Sequence, residues 1–337
     1  MKKKALVTGA TGQDGYYLIK LLLSKGYKVC GMYRRTSTDN TVRLKDIMQH
    51  PEFSLAYGDL QDMSSLISLI QKFKPDEVYN LAAQSDVGVS FKLPLETGEV
   101  TGLGVARLLE AVRQINKDIK FYQASSSEMF GEVVESPQNE DTALKASSPY
   151  GAAKIYGYWM TRNYREGYGM FTCNGILFNH ESPLRGDKFV TKKIVKQMVE
   201  IFERRRDSIE LGNLNSKRDW GYAGDYVEAM YLMLQQDKPD DYVIATGETH
   251  TVREFVEETA NNLGWVITWK GSGVKEKGYN QAGDLVIKIN PKFYRPVDID
   301  LLIGDSSKAK RKLKWTPKTN FKGLIKLMVK AELATTV

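Results

Sequence analysis

An α/β fold with a parallel sheet covered by helices on both faces follows from three features of the sequence. A short apolar run from Lys4 to Thr8 is followed by a glycine turn and a stretch in which Tyr17, Leu18, Leu21 and Leu22 recur at helical spacing. Strand-like and helix-like segments then keep alternating, which implies right-handed crossovers between parallel strands. The 337 residues also exceed the usual size of one core, so a second, smaller lobe is expected. Together these predict a Rossmann-type doubly wound parallel sheet with a smaller, interleaved C-terminal lobe. The expected division is residues 1–180 with 216–247 for the nucleotide-binding part, and 181–215 with 248–337 for the lobe.

Within the first turn, TGATGQDG sets Gly9, Gly12 and Gly15 three apart, with Thr11, Gln13 and Asp14 between them. Glycines there let the backbone turn tightly and approach a pyrophosphate, while the free amides of the helix start attract its charge. A merely structural turn is the alternative, and the strand before and helix after weigh against it. The second strand, expected over residues 27–33, ends in Arg34, Arg35, Thr36 and Ser37. An NAD site would put a carboxylate near that strand end for the ribose 2'-hydroxyl. Two guanidinium groups and two hydroxyls suit a 2'-phosphate instead, which predicts NADP. The competing reading is a solvated loop, or a subunit contact involving Arg43.

Residues 53–59 and 77–82 read as further strands, and 63–73 and 104–115 as helices. Asp59, Leu60, Leu81, Ala83 and Ser85 fall at strand ends, where an open sheet meets its ligand. Asp59 either accepts from an adenine amine or caps the helix beginning near Met63.

The fifth strand, 120–126, carries the chemistry into view. In an extended chain Ser126 and Glu128 would point the same way. After a polar loop, Ser147 and Ser148 offer N-caps to a helix with Pro149 in its first turn, and Tyr150 and Lys154 share one face of it. An ammonium held near a phenol favours the phenolate, so the pair is expected to lower the tyrosine pKa and make it a base. Ser126 would then hydrogen-bond the same substrate hydroxyl. Taken alone, such a pair is usually a half-buried aromatic with a lysine alongside; its place after a nucleotide fold and a serine-bearing strand end changes that.

Composition bounds the alternatives. Lys and Arg exceed Asp and Glu by 48 to 41, giving a net charge of +7, which suits nucleic acid, a phosphorylated small molecule or no partner equally. Interleaved aromatic and basic residues of a nucleic-acid surface are not evident. Cys30 and Cys173 lie in apolar runs and read as free thiols in a reducing compartment. His50, His180 and His250 lack metal-ligand spacing, so no metal is expected. Neither a signal peptide nor a membrane span is visible, and a cytoplasmic protein is the expectation.

The glycine turn, the serine on strand five and YGAAK resemble the extended short-chain dehydrogenases/reductases. More specifically, GQDG, YRRTS, NLAAQS, QASSSEMFG, SPYGAAK, ILFNHESPLRG, KRDWGYAGDYVEAM, GVKEKG and YRP followed by LLIGD are similar to the GDP-mannose 4,6-dehydratase family, from Lys4 to about Trp315. That resemblance implies hydride removal from sugar carbon 4 through bound NADP, water loss across carbons 5 and 6, and return of the hydride to carbon 6. Tyr150 would be the base, Lys154 its support and Ser126 the orienting hydroxyl, with Glu128 as acid/base for the elimination. The first oxidation needs no carboxylate, so Glu128 separates a dehydratase from a 4-epimerase of the same superfamily.

The resemblance further implies cofactor contacts from His180 and Arg185, and nucleotide-sugar contacts from Ser85, Asn179, Val190 and Lys193. It also implies a diphosphate clamp of Arg218 and Arg295, with Asp298 beyond it. Three positions depart from the family pattern: Ser126 replaces threonine, Asp298 replaces glutamate, and Glu96 replaces tyrosine and is left outside the site. A GDP-mannoheptose substrate, an epimerase or reductase activity, and a silent NADP-binding sensor or scaffold remain as competing functions. Residues 34–43 suggest, through the family, a homotetramer, with a homodimer as the minimum.

Overall fold

The computed structural model describes residues 2–133, 135–294 and 301–335. At its centre are β1 (Lys4–Thr8), β2 (Lys28–Tyr33), β3 (Phe53–Tyr57), β4 (Glu77–Asn80), β5 (Lys120–Ser126), β6 (Thr172–Leu177) and a last strand, Tyr242–Ile244. They pair in the order β3-β2-β1-β4-β5-β6 with Tyr242–Ile244 on the far edge, every pairing parallel. The doubly wound sheet read from the sequence is therefore present, and its strand order reverses between β1 and β4. An open sheet of this kind has its crevice at that reversal.

The two faces can be read from single strands, because neighbouring side chains in a strand point opposite ways. Ala5 and Val7, with Tyr79 and Tyr122, pack with Leu18 and Leu22 of α1 (Gln13–Ser24) and with Met230 of the helix Ala223–Leu234. Leu6, Val78 and Phe121 face the other way, toward Leu66 and Ile70 of α2 (Met63–Phe73) and Leu108 of the helix Gly104–Ile115. Each fully buried aliphatic side chain of this kind contributes about 1.5–3 kcal/mol. These apolar positions on both sheet faces are what bring helices onto both sides.

Local signals end the elements where expected, with one correction. The cap of α2 is Asp62, whose carboxylate accepts from Ser64 N; Asp59 instead accepts from Gln61 N, so it is not the cap. Ser148 caps the helix Pro149–Tyr168 by accepting from Gly151 N, and Gly169 ends it at φ 65°.

After β6 the chain builds a second core around Ile194, Met198, Phe255, Leu324 and Met328, contributed by the helices Val190–Phe202, Val252–Asn262 and Phe321–Ala334. A four-stranded sheet, Thr268–Lys270, Lys277–Tyr279, Leu285–Ile289 and Ile209–Leu211, packs there. GSGVKEKG is a loop with a 3-10 turn at Gly273–Lys275 that runs into the strand Lys277–Tyr279, where Gly278 is so close to Ile287 and Trp269 that a Cβ would collide. Two short strands, Asn179–Glu181 and Trp220–Tyr222, pair in parallel between the two cores.

Candidate active site

The glycine turn shows why small residues stand there. Gly9 has φ +66° and a Cβ on it would lie 2.9 Å from Ala82 N, while one on Gly15 would lie 2.4 Å from Gly9 O. Gly12 caps α1 without any side-chain hydrogen bond, so the first amides of the helix have no side-chain cap. Across the sheet reversal, Thr8 Oγ1 donates to Asn80 Oδ1 at 2.6 Å and accepts from the Leu81 and Ala82 amides, fixing the loop after β4.

A cavity of about 1280 Å3 runs from this turn along the strand ends. One drug-sized ligand needs about 300–1,000 Å3, so there is room for a dinucleotide and a second molecule. Gly9, Thr11, Gly12, Gln13, Asp14 and Gly15 line one end, with Asp59 and Leu60 beside them. Leu81, Ala83 and Ser85 follow on the β4 side. Of the arginine run, Arg34 and Thr36 reach the wall, whereas Arg35 and Ser37 do not line it. Arg43 turns inward, donating from Nε to Leu184 O and from Nη1 to Thr11 O, each at 3.1 Å. The cradle, the uncapped helix start and a guanidinium at the β2 end fit a phosphorylated dinucleotide.

The wall continues through Ser126, Glu128, Tyr150 and Lys154. Ser126 and Glu128 come together for a different reason than extended-chain alternation. Ser127–Met129 is a single 3-10 turn, and Ser126 caps it by accepting from Glu128 N at 3.2 Å. Glu128 is buried, at 8% exposure, so it is no solvated surface carboxylate. Gly151 allows the tyrosine helix to approach this turn, since a Cβ there would sit 2.6 Å from Glu128 O.

The expected lowering of the Tyr150 pKa is not what the geometry gives. Burial pushes the phenol up to about 12; a hydrogen bond with Ser126 opposes this and the Glu128 charge adds to it. The Lys154 ammonium donates to Ala124 O at 2.6 Å and stands 5.7 Å from the Tyr150 ring centroid. Burial brings Lys154 itself down to about 8, with Asp14 opposing. Desolvation outweighs the helical pairing that the spacing suggested.

The NHESP segment closes the cavity. His180 donates to Asp14, Ser182 Oγ donates to Gln13 Oε1 at 2.7 Å, and Gln13 Nε2 donates to His180 O. Arg185 pairs with Glu181 at 3.1 Å and covers the Phe189 ring. Asn179, Val190, Lys193 and Arg218 line the far end, where the Asn179 Oδ1 is buried with no hydrogen bond from the described residues. Lys193 donates to Glu210 O at 2.6 Å and lies 3.6 Å from the Phe293 centroid; burial lowers its pKa. Arg218 is buried and donates to Lys217 O. Arg295 and Asp298 lie outside the described residues.

The structure adds residues that the sequence reading missed. Glu96, set aside earlier, is on the wall, as are Arg206, Glu210, Asn213 and Phe293. Ile209–Leu211 is too short a strand to show a period, so no sequence signal marked it. Among the described residues no group of His, Cys, Asp and Glu could hold a metal, and no helix is long and apolar enough to cross a membrane.

A Rossmann sheet with a glycine turn at β1 and a Ser-Tyr-Lys set across the crevice defines an extended short-chain dehydrogenase/reductase. A sequence profile described as GDP-mannose 4,6 dehydratase matches residues 6–328. The chain belongs to the GDP-mannose 4,6-dehydratase family. It is 54% identical over 340 residues to the GDP-mannose 4,6 dehydratase of Drosophila melanogaster, covering 98% of this chain and 86% of that one. To the GDP-mannose 4,6-dehydratase of Vibrio cholerae it is 50% identical over 351 residues, covering 99% and 94%. Among solved structures it is similar in fold to the UDP-glucose 4-epimerase of Thermotoga maritima with UDP-glucose, at TM-score 0.85 and 23% identity, covering 99% of this chain and 100% of that one. The dTDP-glucose 4,6-dehydratase of Bacillus anthracis in complex with NAD gives 0.82 and 22%, covering 98% and 97%.

Proposed function

We propose that this protein is an NADP-dependent hydro-lyase that converts GDP-mannose to GDP-4-keto-6-deoxymannose. The observation that carries the reading is Glu128, a buried carboxylate one short turn beyond Ser126 and within electrostatic reach of Tyr150. An epimerase would not need it.

When bound, NADP would supply the hydride acceptor at sugar carbon 4 and the hydride donor at carbon 6. Tyr150 takes the proton of the carbon-4 hydroxyl, which Ser126 orients. The new ketone acidifies carbon 5; Glu128 removes that proton and passes it to the carbon-6 hydroxyl, which leaves as water. The proton held by Tyr150 balances the one that carbon 5 regains. Lys154 keeps a positive charge behind the phenol and toward the cofactor ribose. Arg34 and Thr36 favour the 2'-phosphate of NADP over the bare hydroxyl of NAD. Asn179, Lys193 and Arg218 face the nucleotide sugar, and the unpaired Asn179 Oδ1 suits a donor from it.

Purified protein incubated with GDP-mannose and NADP is expected to yield a keto-deoxy sugar with no net NADPH, and NAD should serve at least about tenfold less well. Formation of a 4-epimer, or of no product from any GDP-sugar, would overturn the reading.

For assembly, we infer self-association through one exposed apolar face. Phe91, Leu93, Leu95, Leu103, Tyr156 and Trp159 are exposed on segments packed around the helix Pro149–Tyr168, Leu95 at 84%. Surfaces like this in solution are normally covered. The tetramer expectation rests on residues 34–43, of which 34–37 are exposed while Arg43 is engaged within its own chain. Leu95→Glu should reduce the solution mass from at least a dimer to a monomer; an unchanged mass would remove this face from the assembly.

A further inference from the structure

Both ring nitrogens of His180 are held against oxygen atoms. Its Nδ1 is 2.8 Å from Phe178 O and its Nε2 is 2.8 Å from Asp14 Oδ2. A backbone carbonyl can only accept, and an ionised carboxylate can only accept, so both ring nitrogens must carry hydrogen. The ring is then an imidazolium. Tyr226 stacks on it, with centroids 4.7 Å apart and planes 26° apart, which fixes its orientation. With both N–H groups used inside the protein, His180 has no proton to offer a ligand in the cavity it lines.

Asp14 raises the complementary question. It sits in the first turn of α1, where a carboxylate would repel the phosphates that the uncapped amides attract. It also adds negative charge against phenolate formation at Tyr150. We infer that Asp14 is a positioning residue: it holds His180 as a permanent imidazolium, and that cation cancels the Asp14 charge beside the dinucleotide turn. This rests on the dinucleotide reading of the cavity given above.

The surrounding charges agree. Burial works against a charged His180, but the Asp14 charge and hydrogen bond outweigh it and raise its pKa, with Arg185 opposing. Burial likewise works against Asp14, yet His180, with smaller help from Gln13 and Arg185, keeps its pKa lowered. Arg185 is itself paired with Glu181, and Glu128, Tyr150 and Lys154 are among the titratable groups that line the same cavity. The Asp14 and His180 pair is therefore neutral as a unit.

Three histidines in the chain make the test direct. The ring nitrogens of 15N-histidine protein are read by NMR, with His180 assigned by the signal lost in His180→Gln. Both His180 nitrogens are expected to be protonated near pH 8, where an ordinary imidazole would be roughly 97% neutral. A singly protonated ring there would overturn the proposal. NADP affinity, measured by calorimetry, then separates charge from contact. His180→Gln strands the Asp14 charge and should weaken binding about tenfold, and Asp14→Asn with His180→Gln should recover most of that loss. A double variant as weak as His180→Gln would show that the cation acts by direct contact and sink the charge-cancelling role. Neither measurement uses a sugar substrate, so a failure of the dehydratase reading would leave both intact. Wild-type protein that binds no NADP would instead overturn the dinucleotide role.

Discussion

Glu128→Gln should bind NADP as the parent does and lose dehydration by roughly 10²–10⁴-fold, the usual worth of a positioned acid/base group. The substitution keeps the shape of a buried side chain whose backbone amide is held by Ser126 Oγ, so the turn Ser127–Met129 should survive. What it removes is the only step that an amide cannot perform, transfer of a proton from carbon 5 to the carbon-6 hydroxyl. Oxidation at carbon 4 should still proceed in a single turnover, so reduced nicotinamide accumulates with GDP-mannose where the parent shows none at the end of the cycle. Full turnover by this variant would take Glu128 out of the mechanism and return the site to an oxidation that any enzyme of the superfamily could perform.

Lys154→Met should be nearly inactive and yet more stable than the parent. Lys154 is 5% exposed, and burial brings its pKa to about 8 against an ordinary value of about 10.4. A shift of that size means the folded protein disfavours the ammonium by about 3 kcal/mol near neutral pH, an upper limit for the gain. Ala124 O, which loses the lysine as donor, still accepts from Gln123 Nε2, so a lone carbonyl is not left behind. The pH dependence has a defined sign. Between about 8 and 10.4 the unfolded chain holds the lysine proton more tightly than the folded one, so this group makes stability rise with pH across that window. Tyr150, raised to about 12, acts in the opposite sense above about 10. Denaturation of parent and variant near pH 7 and near pH 9.5 should therefore give a stability gap that narrows as pH rises. A gap that is absent, or that widens, would mean the ammonium is not destabilised in the fold.

Much of the scaffold was legible because its causes are local. Met63–Phe73, Gly104–Ile115 and Lys120–Ser126 run where the apolar periods put them, since each period is set by one face meeting one core. The glycine spacing of the first turn was equally readable, because each glycine answers a close approach of neighbouring backbone. The cap of α2 was not legible: it is Asp62, which the sequence reading did not single out, while Asp59 holds the Gln61 amide.

By itself, then, the sequence determined the α/β class and the glycine turn, and brought Ser126, Glu128, Tyr150 and Lys154 forward as candidates. Tertiary structure decided what state those groups are in. Asp14 and His180 stand 166 positions apart and meet only when the NHESP segment folds onto the first helix. Lys154 and Tyr150 are four apart on one helix, a spacing that predicted a lowered phenol, yet both are buried and their pKa values move toward the neutral forms. Short-range pattern fixes which face a side chain occupies. Desolvation and charge depend on everything packed around it, and that is a property of the whole fold.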